Sequence, residues 1–159
     1  MLPRLYLETT IPSYLVARRS RDLRLAADQE ATEEWWQERR QSFELFISET
    51  VLREVRRGDP AFASARLALV RKLPILPPLT AAEDLTERLL KDRIIPITAV
   101  DDAVHLGLAA AHRMDFLLTW NCTHINNRYI LRRIERTCSA IHLVCPVICT
   151  PDELMNLYP

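Results

Sequence analysis

Three acidic residues, Glu8, Glu54 and Asp102, stand where the surrounding pattern calls for burial. A buried carboxylate is costly unless a cation or hydrogen bonds compensate it. Glu8 ends the apolar run Leu5-Tyr6-Leu7, and Glu54 lies inside the helical stretch Ser48–Arg57, flanked by Val51 and Val55. Asp102 shares a helical stripe with Leu106, Ala109 and Arg113, so it begins a mostly apolar face. Three carboxylates brought together from distant parts of a chain suit a hard divalent cation. The adjacent Asp101 falls on the stripe of His105 and His112, which reads as the solvent side, and its place after Thr98 gives it a capping role.

Such a site needs elements that deliver each acid to one edge. Strands are predicted at Leu5–Glu8, Phe43–Ile47, Phe116–Trp120 and Ile141–Val144, with shorter extended pieces at Lys72–Leu76, Ile94–Ile97 and Val147–Cys149. Helices are predicted at Ser13–Arg18, Ala26–Arg40, from the cap Ser48 to Gly58, at Pro60–Arg71 and Ala81–Lys91, from Thr98 to Met114, and at Asn127–Arg136. Thr80 with Glu83, and Thr150 with Glu153, read as capping boxes. Strands separated by helices imply a mainly parallel sheet covered on both faces, hence an α/β fold in one domain over residues 1–159. In such sheets the functional crevice lies at the carboxyl ends of the strands, near a switch in strand order. Glu8 and Asn121 both sit at that end.

Composition narrows the function classes. Basic and acidic residues balance at 21 each, against a strongly basic nucleic-acid binder but not against local patches. Gly58 and Gly107 are the only glycines, which excludes a P-loop or a GxGxxG dinucleotide site. No apolar stretch approaches a membrane span of roughly 20 residues. The N-terminus lacks a long apolar segment, so the expected compartment is the cytoplasm. Cys122, Cys138, Cys145 and Cys149 have no CxxC spacing and read as small buried thiols. His105, His112, His124 and His142 show no metal-ligand spacing and read as structural or surface residues. Arg128, Arg132 and Arg136 recur every four residues as one basic stripe, and Arg18, Arg19, Arg21 and Arg24 form a second cluster; both are candidates for RNA contact beside the plainer reading of solvated faces.

Five segments, in order, resemble the PIN domain, and specifically VapC-type toxins of toxin–antitoxin pairs. They are Leu5 to Ser13 (LYLETTIPS), Ile47 to Val55 (ISETVLREV), Asp101 to Leu106 (DDAVHL), Phe116 to Asn121 (FLLTWN) and Thr150 to Leu154 (TPDEL). The resemblance implies a PIN-like three-layer α/β/α fold with an acidic pocket for Mg2+ or Mn2+, and endoribonuclease activity on RNA. It places the family's acids on Glu8, Glu54 and Asp102, and its fourth, often acidic position on Asn121. The supporting hydroxyls correspond to Thr9 or Thr10 and to Thr119. It further implies a homodimer held inactive by a cognate antitoxin whose segment lies across the acidic pocket.

Two positions depart from the family pattern. The first acid is commonly aspartate, and here it is Glu8, one methylene longer. Asn121 removes a negative charge, so two ions about 3.5–4 Å apart would be poorly neutralised, and one tightly bound ion, or a second arriving with the RNA phosphate, is expected. Asn121 also keeps an alternative in view: a catalytically weak or inactive PIN-like module that binds RNA or protein. An aspartyl phosphatase ranks below both, because Glu8-Thr9-Thr10 lacks the Asp-x-Asp that such chemistry needs.

Overall fold

In the computed structural model, which describes residues 1–158, four strands form one wholly parallel sheet in the order β2-β1-β3-β4. They are β1 (Arg4–Leu7), β2 (Glu44–Phe46), β3 (Phe116–Leu118) and β4 (Val147–Cys149). The helices are α1 (Thr10–Val16), α2 (Leu23–Glu34), α3 (Glu49–Val55), α4 (Pro60–Val70), α5 (Thr80–Lys91), α6 (Val100–Ala111), α7 (Leu131–Ala140) and α8 (Pro151–Leu157). No helix among the described residues is long and apolar enough to cross a membrane.

Central β1 explains the three layers. Leu5, Tyr6 and Leu7 are wholly buried although successive side chains point to opposite faces, so both faces are covered. On one face Tyr6 meets Ser48, which caps α3, and His105 of α6. On the other, Phe116 (the register partner of Leu5) packs with Phe43 and Tyr158, and Trp35 packs on Phe43. Helices α2 and α8 close that side. The chain crosses from β1 to β2 in one direction and reaches β3 on the other side, so the switch in strand order lies between β1 and β3.

Helices α5 and α6 pack so closely that a Cβ on Gly107 would lie 2.5 Å from the Ala82 carbonyl oxygen and from Thr86 Oγ1. Three helices end with a non-glycine residue in the left-handed region: Arg93 (φ 52°), Arg113 (φ 55°) and His142 (φ 61°). After each of these, the next N–H reaches back five residues, as from Met114 to Ala109 and from Leu143 to Cys138.

Several expectations hold: Ser48 caps α3, Gly58 follows it at φ 83°, and Thr150 and Glu153 form the capping box of α8. Others are corrected. Ile141–Val144 is not a strand, because the N–H groups of Ile141, His142 and Leu143 bond back to α7; the last strand is β4, where Val147 pairs with Phe116. Lys72–Leu76 contributes a single bridge, Ile75 to Ile47. The 26–40 helix begins earlier, at Leu23 behind the Asp22 cap, and loosens into a π turn at Trp35–Arg39. Helix α7 begins at Leu131 rather than Asn127, leaving Arg128 in the preceding turn. Leu79 rather than Thr80 is the N-cap residue of α5, and Ala99 rather than Thr98 that of α6; neither offers a side-chain cap. All four cysteines are free, but only Cys138 and Cys149 are buried and Cys122 is exposed.

Candidate metal centre

Glu8 leaves the end of β1 at the switch between β1 and β3 and is only 3% exposed. Its burial is compensated by hydrogen bonds to one oxygen. Oε2 accepts from Thr10 N–H at 3.0 Å, from Thr10 Oγ1 at 2.5 Å and from Thr119 Oγ1 at 2.8 Å. The direction of these bonds follows from the donor inventory. Thr10 Oγ1 accepts from Trp120 N–H and Thr119 Oγ1 accepts from Asn121 N–H, so each hydroxyl has its own proton free for Glu8. Three donors converging on one oxygen suit an ionised carboxylate. Oε1 accepts no hydrogen bond among the described residues and stands 4.0 Å from His105 Nε2.

Glu54 arrives from the last turn of α3. Its Oε1 accepts from Thr9 Oγ1 at 2.8 Å and from His105 Nε2 at 2.7 Å. Burial pushes its carboxyl up, but the hydrogen bond and charge of His105, with Thr9, outweigh burial and hold it below the ordinary range. Burial likewise pushes His105 down, and the bond to Glu54 with the fields of Glu8, Glu54 and Asp102 carries it above its usual value. His105 is wholly buried, and its Nδ1 lies 2.7 Å from Tyr6 Oη, which lies 2.7 Å from Ser48 Oγ. With the imidazole charged, Nδ1–H donates to Tyr6, Tyr6 donates to Ser48, and Ser48 also accepts from Val51 N–H. Burial raises the Tyr6 phenol far above its ordinary value, so it stays a neutral link.

Glu8, Glu54 and His105 thus form a cluster in which one ligand atom from each lies within 4.8 Å of the others. Asp102 stands beside it rather than in it. Asp102 Oδ2 pairs with His124 Nδ1 at 2.9 Å, and both residues line, with Glu54 and Arg57, an open cleft of about 390 Å³. Asp101 is an ion-pair partner of Arg53 at 2.5 Å and of Arg57 at 3.6 Å, not a helix cap. Asn121 turns inward: its Oδ1 accepts from His124 N–H, holding the loop that carries His124 against Asp102. Thr9 therefore serves Glu54, whereas Thr10 and Thr119 serve Glu8. Trp120 stacks on Tyr14 with centroids 5.7 Å apart and donates to Thr32, so it is a packing residue. Arg132 and Arg136 are exposed on α7, and Arg128 is exposed in the turn before it.

The solvent-side reading of His105 is corrected: it is wholly buried and joins Tyr6 to Glu54 within the cluster. His124 likewise belongs to the site. A signal for His105 exists in the sequence, since it is the one polar side chain in the run Ala103–Ala110. Tyr6, buried between Leu5 and Leu7, needed a partner for its hydroxyl and points to the same place.

The donor set fits a divalent cation. Glu8 Oε1 is free of hydrogen bonds among the described residues, and so is Glu54 Oε2, while the companion oxygens of both are anchored. Carboxylate oxygens held this way suit Mg2+ or Mn2+.

No family model matches the chain, and no curated protein matches it. Among solved structures, a chain of the crystal structure of VapBC2 from Rickettsia felis bound to a DNA fragment from their promoter aligns with a TM-score of 0.58. The fold is PIN-like. The alignment covers 92% of this chain and 97% of the other at 15% identity, a level at which the likeness is one of fold. The aligned region runs nearly end to end in both chains.

Proposed function

We propose that this PIN-like protein is a metal-dependent endoribonuclease of the VapC-toxin kind. The observation that carries the reading is the convergence of Glu8 and Glu54 from β1 and α3, with Asp102 of α6 beside them, at the carboxyl edge of a parallel sheet.

Glu8 Oε1, Glu54 Oε2 and Asp102 would hold one Mg2+ or Mn2+. When bound, the ion supplies polarisation of the phosphate, a lowered pKa for a coordinated water and stabilisation of developing charge. The protein's own part is preorganisation. Thr10 and Thr119 anchor Glu8 Oε2, and Thr9 and His105 anchor Glu54 Oε1, so the other oxygen of each carboxylate is positioned for the ion. The Tyr6–Ser48 chain prevents His105 from turning away. Asp102, paired with His124, lines the open cleft together with Glu54, and a phosphodiester can enter there.

A cognate antitoxin belongs to the same reading, supported by the likeness to a VapBC2 chain, and a homodimer goes with it on the family resemblance alone.

The test is cleavage of a mixed structured-RNA pool with Mn2+, Mg2+ or EDTA, beside Glu8→Gln and Asp102→Asn. Metal-dependent cleavage lost in both variants is the expected result. A folded, antitoxin-free protein that cleaves under no metal would favour the non-catalytic binding module, with Asn121 as its mark.

A further inference from the structure

A nuclease centred on three carboxylates repels the polyanion it must cleave, so binding has to come from cations beside the site. We propose that Arg18 and Arg57 form a phosphate subsite that holds an RNA strand next to the acidic cleft. The proposal rests on the nuclease reading and adds to it where the strand lies.

The pocket between α1, the end of α3 and α4, about 450 Å³, is lined by Arg18, Arg57 and Arg66 together with Phe62 and Asp59. Arg57 also lines the cleft of Glu54 and Asp102, so one side chain joins the two. Three guanidiniums face one carboxylate, and an oxygen of that carboxylate is occupied: Asp59 Oδ1 caps α4, accepting from Ala61 and Phe62 N–H. Arg66 is fixed, donating from Nε to the Val55 carbonyl at 3.0 Å and from Nη2 to that of Arg57, while its charge stays in the pocket.

Arg18 and Arg57 are the two that can engage a ligand. Arg18 is exposed, has no carboxylate partner among the described residues, and rests 5.9 Å over the ring of Phe62. Arg57 is 62% exposed, and its 3.6 Å pair with Asp101 is the weaker of two, because Arg53 already holds that carboxylate. A guanidinium fork matches phosphate oxygens, and the half-buried Phe62 offers an aromatic face to a neighbouring base. An acidic peptide could use the same arginines. RNA is favoured because Arg57 places the bound phosphate at the edge of the metal cleft.

The test is anisotropy of a labelled single-stranded RNA with the full chain in EDTA, across a salt series. Arg18→Gln/Arg57→Gln is compared with Arg88→Gln/Lys91→Gln, which removes equal charge from α5. The expected result is at least about tenfold weaker binding for the first, with a salt slope flatter by about 1.4 for two contacts, and a change under about twofold for the second. Both first-pair side chains are exposed, so an unchanged melting transition accompanies the loss. Equal loss in both double variants, or none in the first, overturns the subsite. Wild type that binds through Arg18 and Arg57 yet never cleaves with Mn2+ or Mg2+ upholds the subsite and sinks the nuclease reading. Unchanged affinity in the first variant with cleavage retained does the reverse. Folded wild type that ignores RNA but binds polyglutamate through these arginines also overturns the proposal, in favour of an acidic protein partner.

Discussion

His105 Nε2 lies 2.7 Å from Glu54 Oε1, joining a wholly buried imidazole on α6 to a carboxylate on α3 that is 19% exposed. Removing one partner of such a pair leaves the other charge uncompensated, at roughly 3 kcal/mol. His105→Gln is therefore expected to lower stability by about that amount.

The same pair sets a pH dependence. Glu54 is depressed on folding, so its contribution is present above its ordinary value of 4.5 and is lost as pH falls through the lower folded value. His105 is raised, so its contribution is complete below 6.5 and is lost as pH rises through the higher folded value. In EDTA, the melting difference between wild type and His105→Gln should be largest between pH 4.5 and 6.5. A difference that stays flat from acid to alkaline pH would show that the pair is not charged.

Metal binding should release a proton. A cation on Glu8 Oε1, 4.0 Å from His105 Nε2, repels the imidazolium. Calorimetry of Mn2+ binding in buffers of different ionisation enthalpy should show proton release in wild type and little in His105→Gln. Equal release in both would place the proton elsewhere.

Thr119→Val keeps the shape but removes a donor to Glu8 and the acceptor for Asn121 N–H, both at a wholly buried position. The expected cost is about 1–3 kcal/mol, with weaker Mn2+ binding because Glu8 loses an anchor. Denaturant titration and Mn2+ calorimetry check the two effects separately. Normal stability would mean that Asn121 N–H finds another partner.

Two backbone substitutions should move in opposite directions. Arg93→Gly relieves a left-handed residue and should stabilise by about 1 kcal/mol. Gly107→Ala pushes a methyl against the Ala82 carbonyl and should destabilise by about 1–3 kcal/mol. Paired thermal melts decide both.

Capping chemistry and apolar runs made β1, β2 and β3 and several helices readable. Ser48, Gly58 and Thr150 act as their residue types suggest, because a cap is a contact within one turn. Ile141–Val144 misled because an apolar run alone does not distinguish a strand from a turn packed under a helix. No glycine marks the ends before Arg113 and His142, and there the reading missed by several residues, whereas the end of α5 at Lys91 was read correctly.

The sequence by itself determined the parallel α/β order and placed Glu8 at the end of a buried strand, because periodicity and strand ends are local properties. Only the tertiary structure decided that His105, 51 residues from Glu54, bonds its carboxylate, and that Asp102 turns to His124 beside the cluster. Helical spacing ranks faces relative to one another, but it cannot say which face meets the sheet. Helix α6, pressed by α5 at Gly107 and by the sheet at Tyr6, buries His105, while Asp101 and His112 of the same stripe stay partly exposed.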